Sequence, residues 1–472
     1  MDLFLRPGHG PLAAQLYEQL REAIATGRLR PQDQLVPSRV LAQQLGLSRY
    51  TVATAYGRLA DEGYILGRAG GGSVVAPDAT AQASARPGSA IVPSAGAAAW
   101  RPDLEAAAPL PDRLDLRPGF PDPALFPLQD WRRALARAAV RLEGTGDPRG
   151  EPELRATVAR WVGRSRGVSA GVDAVLVTSG AHHAVDLVAR VMVRPGDTVA
   201  MENPGYAPVA RLFEALGLRV AGVPVDAQGL VVEAIPDDAR LVYVTPSHQF
   251  PLGVTMSLAR RHALLSWAGT RGAAILEDDY DSEFRYADRP LEPLHRLDEA
   301  GRVVYVGSFS KTLSPSLRLG FAVVPPSLAA PAAALRQRID RHPPLVTQLA
   351  LAELIESGRF ERHLRRARRA YAQRRAALDA ALAGADGCLL EPIAAAAGLH
   401  VTAWLAQGID ERRVLEAADR LGLALSGLAP YDRLGAARPG LVLGLGGIAA
   451  AAVPTAVAAL GRALADARGS TP

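Results

Sequence analysis

Apolar residues recur at helical spacing through the first part of the chain, and this pattern predicts a compact helical unit. The positions that define the pattern are Leu16, Leu20, Ile24, Leu41 and Leu45. A spacing of three or four residues places such side chains on one face of a helix, and the glycines at 70–72 mark a tight turn. We therefore predict helices followed by a hairpin over residues 11–76, and we assign residues 1–76 to one domain.

The composition changes to Ala, Pro, Ser and Gly between residues 77 and 111, which predicts a linker. After it, short apolar runs alternate with helical stretches, which indicates an α/β domain over residues 112–466. A mostly parallel sheet covered on both faces fits this alternation. The candidate strands are Ala174–Thr178, Leu241–Thr245, Ala273–Leu276 and Val303–Val306. From about Pro325 onwards we expect mostly helix.

The 472 residues carry a net charge of +5 and a single cysteine. A positive charge suits a polyanionic partner, but it bears on association and not on fold. One cysteine allows no internal disulfide, no run of 18 apolar residues predicts a membrane span, and the first residues lack the pattern of a secretion signal. We therefore expect a cytoplasmic, nucleoid-associated protein with no membrane partner and no bound metal.

A second helix in the first domain has one apolar and one polar face. Ser48 can cap this helix, and its apolar face would be Val52, Tyr56 and Leu59. The side chains left to solvent or to a groove are Arg49, Tyr50, Thr54 and Arg58. After the helix around Leu41 and a turn, this is the arrangement of a helix-turn-helix, whose second helix presents its N-terminal residues to base edges. Spacing alone leaves an ordinary helical hairpin as an equal alternative.

Lysine occurs once among the 53 basic residues, at position 311, and every other basic residue is arginine. Arginine can replace lysine in solvated charge roles, but a guanidinium that keeps its proton cannot form a Schiff base. A chain biased towards arginine spares lysine where amine chemistry is required, and survival by chance is the alternative. We therefore predict that Lys311 is a reactive amine.

Polar groups suited to an anion flank the lysine and recur at a second turn. Ser308, Ser310 and Arg318 lie close to it in the chain, and arginine suits bidentate contact with a phosphate. Gly180 and Ala181 lie between a predicted strand and a helix, where backbone N–H groups favour an anion, although that turn alone could be a plain connection. An acidic run ends the strand in AAILEDDYDSEFR, at the edge where parallel sheets place ligands.

The N-terminal stretch resembles the winged helix-turn-helix of GntR-type regulators along its whole length. The matching segments are LYEQLREAIATGRL, LAQQLGLSRYTV, AYGRLADEGYI and the glycine wing RAGGGSVVA, with one departure in LVPSR, where Pro and Ser stand one place later than usual. The resemblance implies that Arg39 and Arg49 contact phosphates or bases, that Thr51 lies at the DNA surface, and that the wing follows the minor groove. The predicted DNA-binding residues are Arg39, Ser48, Arg49, Tyr50, Thr51, Thr54, Arg58, Arg68 and Gly70.

Residues 112–450 resemble fold-type I aminotransferases, and their fusion to a GntR-type head resembles the MocR-type subfamily of transcription regulators. The matching segments are LRPGFPDPALFPLQDWRRAL, GDPRGEPELR, VTSGAHHAVDL, ENPGY, TPSHQFPLGVTMSLARR, ILEDDYDSEFRY, VGSFSKTLSPSLRLG and ERHLRRARRAYAQRR. The resemblance implies a mostly parallel sheet between helices, a smaller C-terminal subdomain, and pyridoxal 5′-phosphate as the cofactor.

The same resemblance assigns roles around this cofactor. Lys311 would form the Schiff base, Asp278 would pair with the pyridine nitrogen, Tyr280 would hydrogen-bond the phenolic oxygen, and Tyr206 would stack on the ring. His248 lies in a loop that normally borders the cofactor, either as a contact or as a structural histidine. The phosphate would be surrounded by Ser179, Gly180, Ala181, His182, Ser308, Ser310 and Arg318.

Three positions depart from the aminotransferase pattern. Thr145 stands where a tyrosine would reach the neighbouring subunit's phosphate, and His182 replaces a glutamine. Val442 stands where an arginine would grip a substrate carboxylate, and Arg438 is close by without clearly replacing it. These departures speak against ordinary amino-acid turnover but not against cofactor binding.

We therefore predict a transcription regulator whose DNA binding is modulated by pyridoxal 5′-phosphate, alone or with an amine or amino-acid effector. A working aminotransferase with an appended DNA-binding head is the alternative, and a cofactor-free scaffold is disfavoured by the retained lysine. Residues 1–76 contain 8 arginines and 6 acids, a weak attraction for a single copy. We therefore expect a homodimer on double-stranded DNA with two half-sites.

Overall fold

The computed structural model divides the chain into two compact units, Met1–Ala98 and Ala99–Pro472. The residues described are 4–6, 10–68, 72–79, 110, 112–141, 144–286, 292–384, 389–395 and 397–468. Most of the predicted linker lies outside these ranges, and so does Gly70. Within them, no helix combines the length and the apolar character needed to cross a bilayer.

The first unit consists of helices and a hairpin, as the apolar spacing predicts. Its elements are α1 (Leu12–Ala25), α2 (Ser38–Leu45), α3 (Arg49–Asp61), β1 (Ile65–Arg68) and β2 (Gly72–Val75). The two strands pair antiparallel, with Arg68 opposite Gly72. Leu16 and Leu20 of α1 and Leu59 of α3 are buried in one core cluster with residues of both strands.

Local backbone chemistry sets the turn between α2 and α3. Gly46 ends α2 in the left-handed conformation, with a φ of 64°, which a residue without a Cβ adopts at little cost. Ser48 then caps α3 as predicted, because its hydroxyl oxygen accepts the N–H of Thr51 at 3.1 Å. Val52 and Tyr56 face the core of the unit, so the opposite face of α3 is left to solvent.

The second unit is an α/β domain with a second, smaller sheet. Its strands are β3 (Leu114–Asp115), β4 (Val175–Thr178), β5 (Thr198–Asn203), β6 (Arg219–Asp226), β7 (Gly229–Leu230), β8 (Ala239–Val244), β9 (Ala274–Asp279), β10 (Val303–Ser308), β11 (Gly320–Val323), β12 (Leu390–Pro392), β13 (His400–Leu405), β14 (Leu423–Ala424), β15 (Ser426–Gly427) and β16 (Gly440–Gly444). Its helices are α4 (Leu128–Ala138), α5 (Pro152–Arg166), α6 (Ala181–Met192), α7 (Ala207–Ala215), α8 (Leu258–Arg271), α9 (Leu294–Leu297), α10 (Pro326–Ile339), α11 (Leu345–Glu356), α12 (Arg359–Gly384), α13 (Glu411–Arg420) and α14 (Val453–Arg468).

A sheet in the order β4-β11-β10-β9-β8-β5-β6-β7 forms the centre of this unit. Strands β10, β9, β8, β5 and β6 run parallel, whereas β11 is antiparallel to both β10 and β4. Val175 and Val177 pack in one helical layer and Leu176 in the other, so both faces of the sheet are covered. The predicted mostly parallel sheet is confirmed, and each predicted strand overlaps an observed one.

The C-terminal part contains a sheet that the apolar pattern does not predict. Helices α10, α11 and α12 form after Pro325, but β12, β13, β16 and β15 then make an antiparallel sheet. The expectation of mostly helix is therefore wrong for residues 390–444, because short strands in an Ala- and Leu-rich composition show no sustained alternation. Val401 of this sheet packs with Val414 and Leu460 of the neighbouring helices, which gives the smaller subdomain its own core.

The start of the second unit is tied to this subdomain. β3 pairs in parallel with β14, with Asp115 opposite Ala424. The buried carboxylate of Asp115 accepts the N–H groups of Leu110 and Arg117 at 3.1 and 3.0 Å, and it also pairs with the Arg117 guanidinium. The backbone after β3 is thereby held in place as it runs towards Gly119.

Replacing Leu59 with alanine tests the core of the first unit. Leu59 has no exposed surface, so Leu59→Ala is expected to lower the free energy of unfolding of this unit by about 2–5 kcal/mol. Hydrogen exchange of the backbone amides of residues 12–75 in the full chain measures the change. The exposed neighbour Ala60 supplies the control, because Ala60→Ser is expected to leave protection nearly unchanged. Equal protection in both variants would contradict the assigned core.

Candidate functional site

The ends of neighbouring strands bring the predicted anion-binding residues together. Ser308 of β10 lies opposite Gly320 of β11, and Gly320 lies opposite Thr178 of β4, which the turn 179–180 follows directly. A Cβ on Gly320 would lie 2.8 Å from the backbone of that turn, so only glycine allows the strands to approach this closely. The Ser308 hydroxyl oxygen accepts the N–H of Ser310 at 3.1 Å, which keeps both serines at this edge of the sheet.

Arg318 and the start of α6 form a recess suited to an anion. The Arg318 guanidinium donates to the carbonyl oxygen of Ser179 at 2.6 Å, and a Cβ on Gly180 would lie 3.3 Å from it. In the part of the chain that is described, no side chain caps α6. The first N–H groups of the helix, at Ala181 and His182, therefore lie beside a guanidinium, which is the usual setting of a bound phosphate.

Lys311 follows the end of β10 and is held by the segment after β3. Its Nζ donates to the carbonyl oxygen of Gly119 at 2.5 Å. Burial lowers the pKa of the Lys311 amine, and the carboxylates of Asp281 and Asp278 partly oppose this shift. An amine with a lowered pKa loses its proton more readily, which suits attack on a carbonyl carbon.

Asp278 is a buried carboxylate that is only half satisfied. The Tyr243 hydroxyl donates to its Oδ2 at 2.7 Å, whereas Oδ1 has no hydrogen-bond partner among the described residues. Burial raises the pKa of Asp278 to about 6, although the hydrogen bond from Tyr243 and the charge of Lys311 act in the opposite direction. Because an unpaired buried oxygen is costly, Oδ1 is suited to a positively charged N–H donor of a ligand.

Aromatic rings line one side of the same region. Tyr206, at the start of α7, packs edge-on against Phe250 and His182, with ring centroids 5.6 and 6.3 Å apart. Phe250 also packs edge-on against Tyr280 at 6.1 Å and against Tyr431 at 5.1 Å. Such a wall offers flat apolar surface to a planar ligand ring.

A chain of polar side chains lies behind Tyr280. The Tyr280 hydroxyl is 2.9 Å from Nδ1 of His248, and the same Nδ1 is 3.0 Å from Oδ2 of Asp281. His400 lies beside them and its Nε2 donates to the carbonyl oxygen of Pro251 at 2.9 Å. Ligand atoms of His248, Asp281 and His400 lie within 4.8 Å of one another. The absence of a metal stays a prediction.

These groups fit pyridoxal 5′-phosphate. Lys311 supplies the amine, Asp278 supplies an acid for the pyridine nitrogen, and Arg318 with the start of α6 supplies the phosphate recess. Tyr280 and Tyr206 supply a phenol and an aromatic face. The fit rests above all on Oδ1 of Asp278, a buried oxygen that lacks a donor in the described chain.

Two of the positions that depart from the aminotransferase pattern, and the nearby Arg438, can now be placed in the structure. Val442 is buried in an apolar cluster. The Arg438 guanidinium donates to Glu391 at 2.5 Å and to the carbonyl oxygen of Leu405 at 3.1 Å, so it is already paired. Thr145 is exposed and its short side chain offers no phenol. The arrangement supports the sequence-based doubt about ordinary amino-acid turnover.

The polar face of α3 carries most of the predicted DNA-contacting residues. Arg49 is exposed, and Tyr50 is 82% exposed although it is aromatic. The Thr54 hydroxyl donates back to the carbonyl oxygen of Tyr50 at 2.9 Å. Ser48 and Thr51 lie at the start of the helix with their hydroxyl oxygens 2.8 Å apart. This surface has the form of a recognition helix that presents its N-terminal turn.

Arg58 is exposed but already has partners within the first unit. Its guanidinium donates to Glu62 at 2.9 Å and lies 3.8 Å from the ring centroid of Tyr17, so it is held against the unit itself. A DNA contact by Arg58 would have to compete with these partners, and it stays a prediction. Arg39 of α2 and Arg68 of β1 are exposed, as a DNA contact requires, and Gly70 lies outside the described residues.

Some residues of the cofactor site carry no signal in the sequence. Tyr243 is one member of an apolar strand, and only the pairing of β8 with β9 places it beside Asp278. Gly119 accepts the lysine hydrogen bond from a distant part of the chain. Asp281 belongs to the acidic run EDDYD and directly follows Tyr280, so its position in the sequence could have suggested that the two residues share a partner.

Comparisons with known families agree with both units. Residues 12–75 match the family described as "Bacterial regulatory proteins, gntR family", and residues 114–402 match "Aminotransferase class I and II". The chain is 38% identical over 451 residues to the "Probable rhizopine catabolism regulatory protein MocR" of Rhizobium meliloti, covering 93% of this chain and 90% of the relative. It is 34% identical over 452 residues to the "HTH-type pyridoxine biosynthesis transcriptional regulator PdxR" of Corynebacterium glutamicum, covering 94% of each.

A solved structure shares the fold of the second unit. The α-aminoadipate aminotransferase LysN of Thermus thermophilus is 30% identical, with a TM-score of 0.69, and the match covers 76% of this chain and 94% of that one. The fold and the site thus define a DNA-binding head joined to an aminotransferase-like domain. The chain belongs to the MocR-type subfamily of the GntR family and is a DNA-binding transcription regulator.

Removing the buried charge of Asp278 is expected to stabilise the cofactor-free protein. Its folded-state pKa of about 6 lies above the ordinary value of 3.8. The contribution of Asp278 to the free energy of unfolding is therefore most favourable at low pH, and it is lost as the pH rises from about 4 through 6. Asp278→Asn should therefore raise the free energy of unfolding by up to about 3 kcal/mol at pH 8 and by little at pH 4. Denaturant titrations of cofactor-free protein at several pH values measure this difference.

The adjacent carboxylate provides a matched control for that experiment. Oδ2 of Asp279 accepts a hydrogen bond from Nε of Arg166 at 2.7 Å, and both side chains are buried. Asp279→Asn would therefore leave a buried cation without its counter-charge. This variant is expected to be destabilised at pH 8. Equal behaviour of the two variants would contradict the different environments assigned to the two carboxylates.

Proposed function

We propose that the DNA binding of this regulator responds to pyridoxal 5′-phosphate held at Lys311, alone or together with an amine or amino-acid effector. The observation that carries the proposal is that a half-buried lysine, a buried carboxylate with one unpaired oxygen, and a phosphate recess lie within one site. We further propose the boundaries 1–76 for the DNA-binding head, 77–111 for a linker, and 112–466 for the cofactor-binding domain.

The chain's own residues would have distinct roles towards the cofactor. Oδ1 of Asp278 would accept a hydrogen bond from the protonated pyridine nitrogen, and the Tyr243 hydroxyl would keep donating to Oδ2. Arg318 and the first N–H groups of α6 would bind the phosphate, with His182 and Ser308 at the same edge. Bound there, the cofactor supplies an aldehyde carbon that Lys311 or an effector amine can attack.

Such a site serves a regulator if two arrangements of the protein differ in their affinity for the ligand. A ligand that binds both arrangements equally changes nothing, whereas a differential contact shifts their populations. The hydrogen bond from Nζ to Gly119 is made by the free Lys311 amine, so attachment of the cofactor to Nζ would remove it, and displacement of Lys311 by an effector amine would allow it to form again. This bond is one such differential contact. The paired state of Arg438 and the burial of Val442 weigh against an effector held by its carboxylate as in an aminotransferase.

The DNA-binding head would act in pairs. A head with 8 arginines and 6 acids in residues 1–76 attracts DNA weakly, so a homodimer that reaches two half-sites of double-stranded DNA would supply affinity and specificity. Arg49 and Tyr50, on the exposed N-terminal turn of α3, would contact bases or phosphates, and Arg39 and Arg68 would contact the backbone or the minor groove.

A gel-shift titration of the intergenic DNA beside the gene tests the proposal directly. Protein stripped of cofactor and protein reloaded with pyridoxal 5′-phosphate are expected to differ in affinity or in the number of half-sites bound. Lys311→Ala should lose the visible absorbance of the bound cofactor and should bind DNA alike with and without added cofactor, because no amine remains to anchor it.

Three results would contradict the proposal. Visible cofactor absorbance that persists in Lys311→Ala would show that the anchor lies elsewhere. A wild-type protein that binds DNA equally with and without cofactor would remove the regulatory role. Absence of specific DNA binding combined with amine turnover would favour the alternative of an aminotransferase with a DNA-binding head.

Arg49→Ala is expected to weaken operator binding by about 1–3 kcal/mol for each half-site. If the contact is to a phosphate, the slope of log affinity against log salt should also fall by about one for each half-site. Fluorescence anisotropy at several salt concentrations measures both quantities. Arg21→Ala on α1 is the matched control, since this arginine is paired with Glu18 at 2.8 Å. Loss of cofactor absorbance in Arg49→Ala would instead indicate misfolding.

A further inference from the structure

His248 is fixed between two groups that lie more than 30 positions away in the chain. Its Nδ1 is 3.0 Å from Oδ2 and 3.2 Å from Oδ1 of Asp281, and 2.9 Å from the hydroxyl oxygen of Tyr280. His248 and Asp281 are both buried, with 2% and 1% of their surface exposed. A single ring nitrogen thus faces a carboxylate and a phenol at the same time.

The carboxylate decides which atom carries the proton. A carboxylate accepts hydrogen bonds and cannot donate, so Nδ1 of His248 must carry a hydrogen to be stable beside Asp281. Burial raises the pKa of Tyr280 well above its usual value, so Tyr280 keeps its proton. Because Nδ1 is a donor with a single hydrogen, that hydrogen is shared between the Asp281 carboxylate and the Tyr280 oxygen, and both of them accept from it. The phenolic hydrogen must then lie on the opposite side of that oxygen, away from the imidazole.

The imidazole of His248 is closely packed by two glycines and by a second histidine. A Cβ on Gly398 would lie 1.9 Å from Cε1 of His248, and a Cβ on Gly253 would lie 3.3 Å from Nε2. His400 approaches from β13 with its ring centroid 4.7 Å away. Burial, the nearby His248 and, in smaller part, Lys311 lower the pKa of His400 to about 3, so His400 adds no positive charge. The groups that face His248 are therefore Asp281, Tyr280 and a neutral His400.

We propose that His248 is a positioning residue that acts through Tyr280: by donating from Nδ1 it keeps the Tyr280 hydroxyl hydrogen directed at the cofactor. The inference rests on the proposed binding of pyridoxal 5′-phosphate at Lys311, where Tyr280 would donate to the phenolic oxygen. A donor at that oxygen draws off negative charge. The nitrogen attached to the cofactor then loses its proton at a lower pH than it would without the donor.

The first test needs no cofactor. In cofactor-free protein labelled with ¹⁵N-histidine, a hydrogen-bonded Nδ1–H resonance is expected that disappears in His248→Asn, which assigns it, and that shifts or broadens in Asp281→Asn. Lack of such a resonance in the wild type would overturn the proposal. A resonance that emerges only after chelator treatment would also overturn it, because a metal ion held by His248, Asp281 and His400 would then occupy the nitrogen.

The second test uses the loaded protein and its visible absorbance. The pH midpoint of the absorbance change is expected to rise by about one pH unit in Tyr280→Phe and in His248→Phe. The double variant should rise no further than Tyr280→Phe alone, because His248 acts only through Tyr280. Asp281→Asn should also raise the midpoint, and it guards against a folding failure of His248→Phe.

Conservative variants separate positioning from general structure. His248→Asn places an amide N–H near the site of Nδ1 and should keep the midpoint close to that of the wild type. His400→Gln is the matched control, since His400 touches the same ring but donates to the carbonyl oxygen of Pro251. An unchanged midpoint in both His248→Phe and Asp281→Asn would overturn the inference. A wild-type protein without visible absorbance would overturn the proposed cofactor site, and the histidine resonance would still decide the proton position.

Discussion

The arrangement of three consecutive acids at the end of β9 is the constraint on which the site depends. Glu277 is buried and accepts the N–H groups of Leu294 and His295, and Asp279 is neutralised by Arg166. Asp278, between them, receives one hydrogen bond from Tyr243 and leaves one oxygen without a donor in the described residues. Protein groups pair with both neighbouring carboxylates, whereas Asp278 keeps one oxygen that a donor from a ligand would satisfy. The same buried charge therefore affects both the stability of the cofactor-free protein and its proposed affinity for a ligand.

The second unit contains the residue types that an aminotransferase uses to bind its cofactor, but it lacks the arginine that would bind a substrate carboxylate at position 442. Lys311, Asp278 and Arg318 lie where that chemistry needs them, whereas Val442 is packed in an apolar cluster and Arg438 is engaged with Glu391. Capture of an amine without efficient turnover is what a sensor requires, because a signal must last while the ligand is present. In the proposed function, the GntR-type head would convert such a state into an effect on DNA.

The sequence predicts local chemistry well and long-range pairing poorly. The lone Lys311, the acidic run that contains Asp278, and the cap Ser48 are each visible within a few residues. The hydrogen bond from Tyr243 to Asp278 and the one between His248 and Tyr280 depend on which strands and loops become neighbours, and apolar runs do not show which residues pair. The sheet within residues 390–444 went unpredicted for a related reason, since its short strands lie in a composition typical of helix.

The path of the chain into the second unit has a mechanical consequence. The predicted linker is followed by β3, which pairs with β14 of the smaller subdomain, and the backbone then reaches Gly119, whose carbonyl oxygen accepts the Nζ hydrogen bond of Lys311. The segment that follows the predicted linker in the chain therefore contacts the Lys311 amine directly. If the cofactor is held at Lys311 as proposed, a covalent change at that nitrogen would alter a contact of the segment that follows the predicted linker, so occupancy would be sensed at this segment without a relay through the rest of the domain.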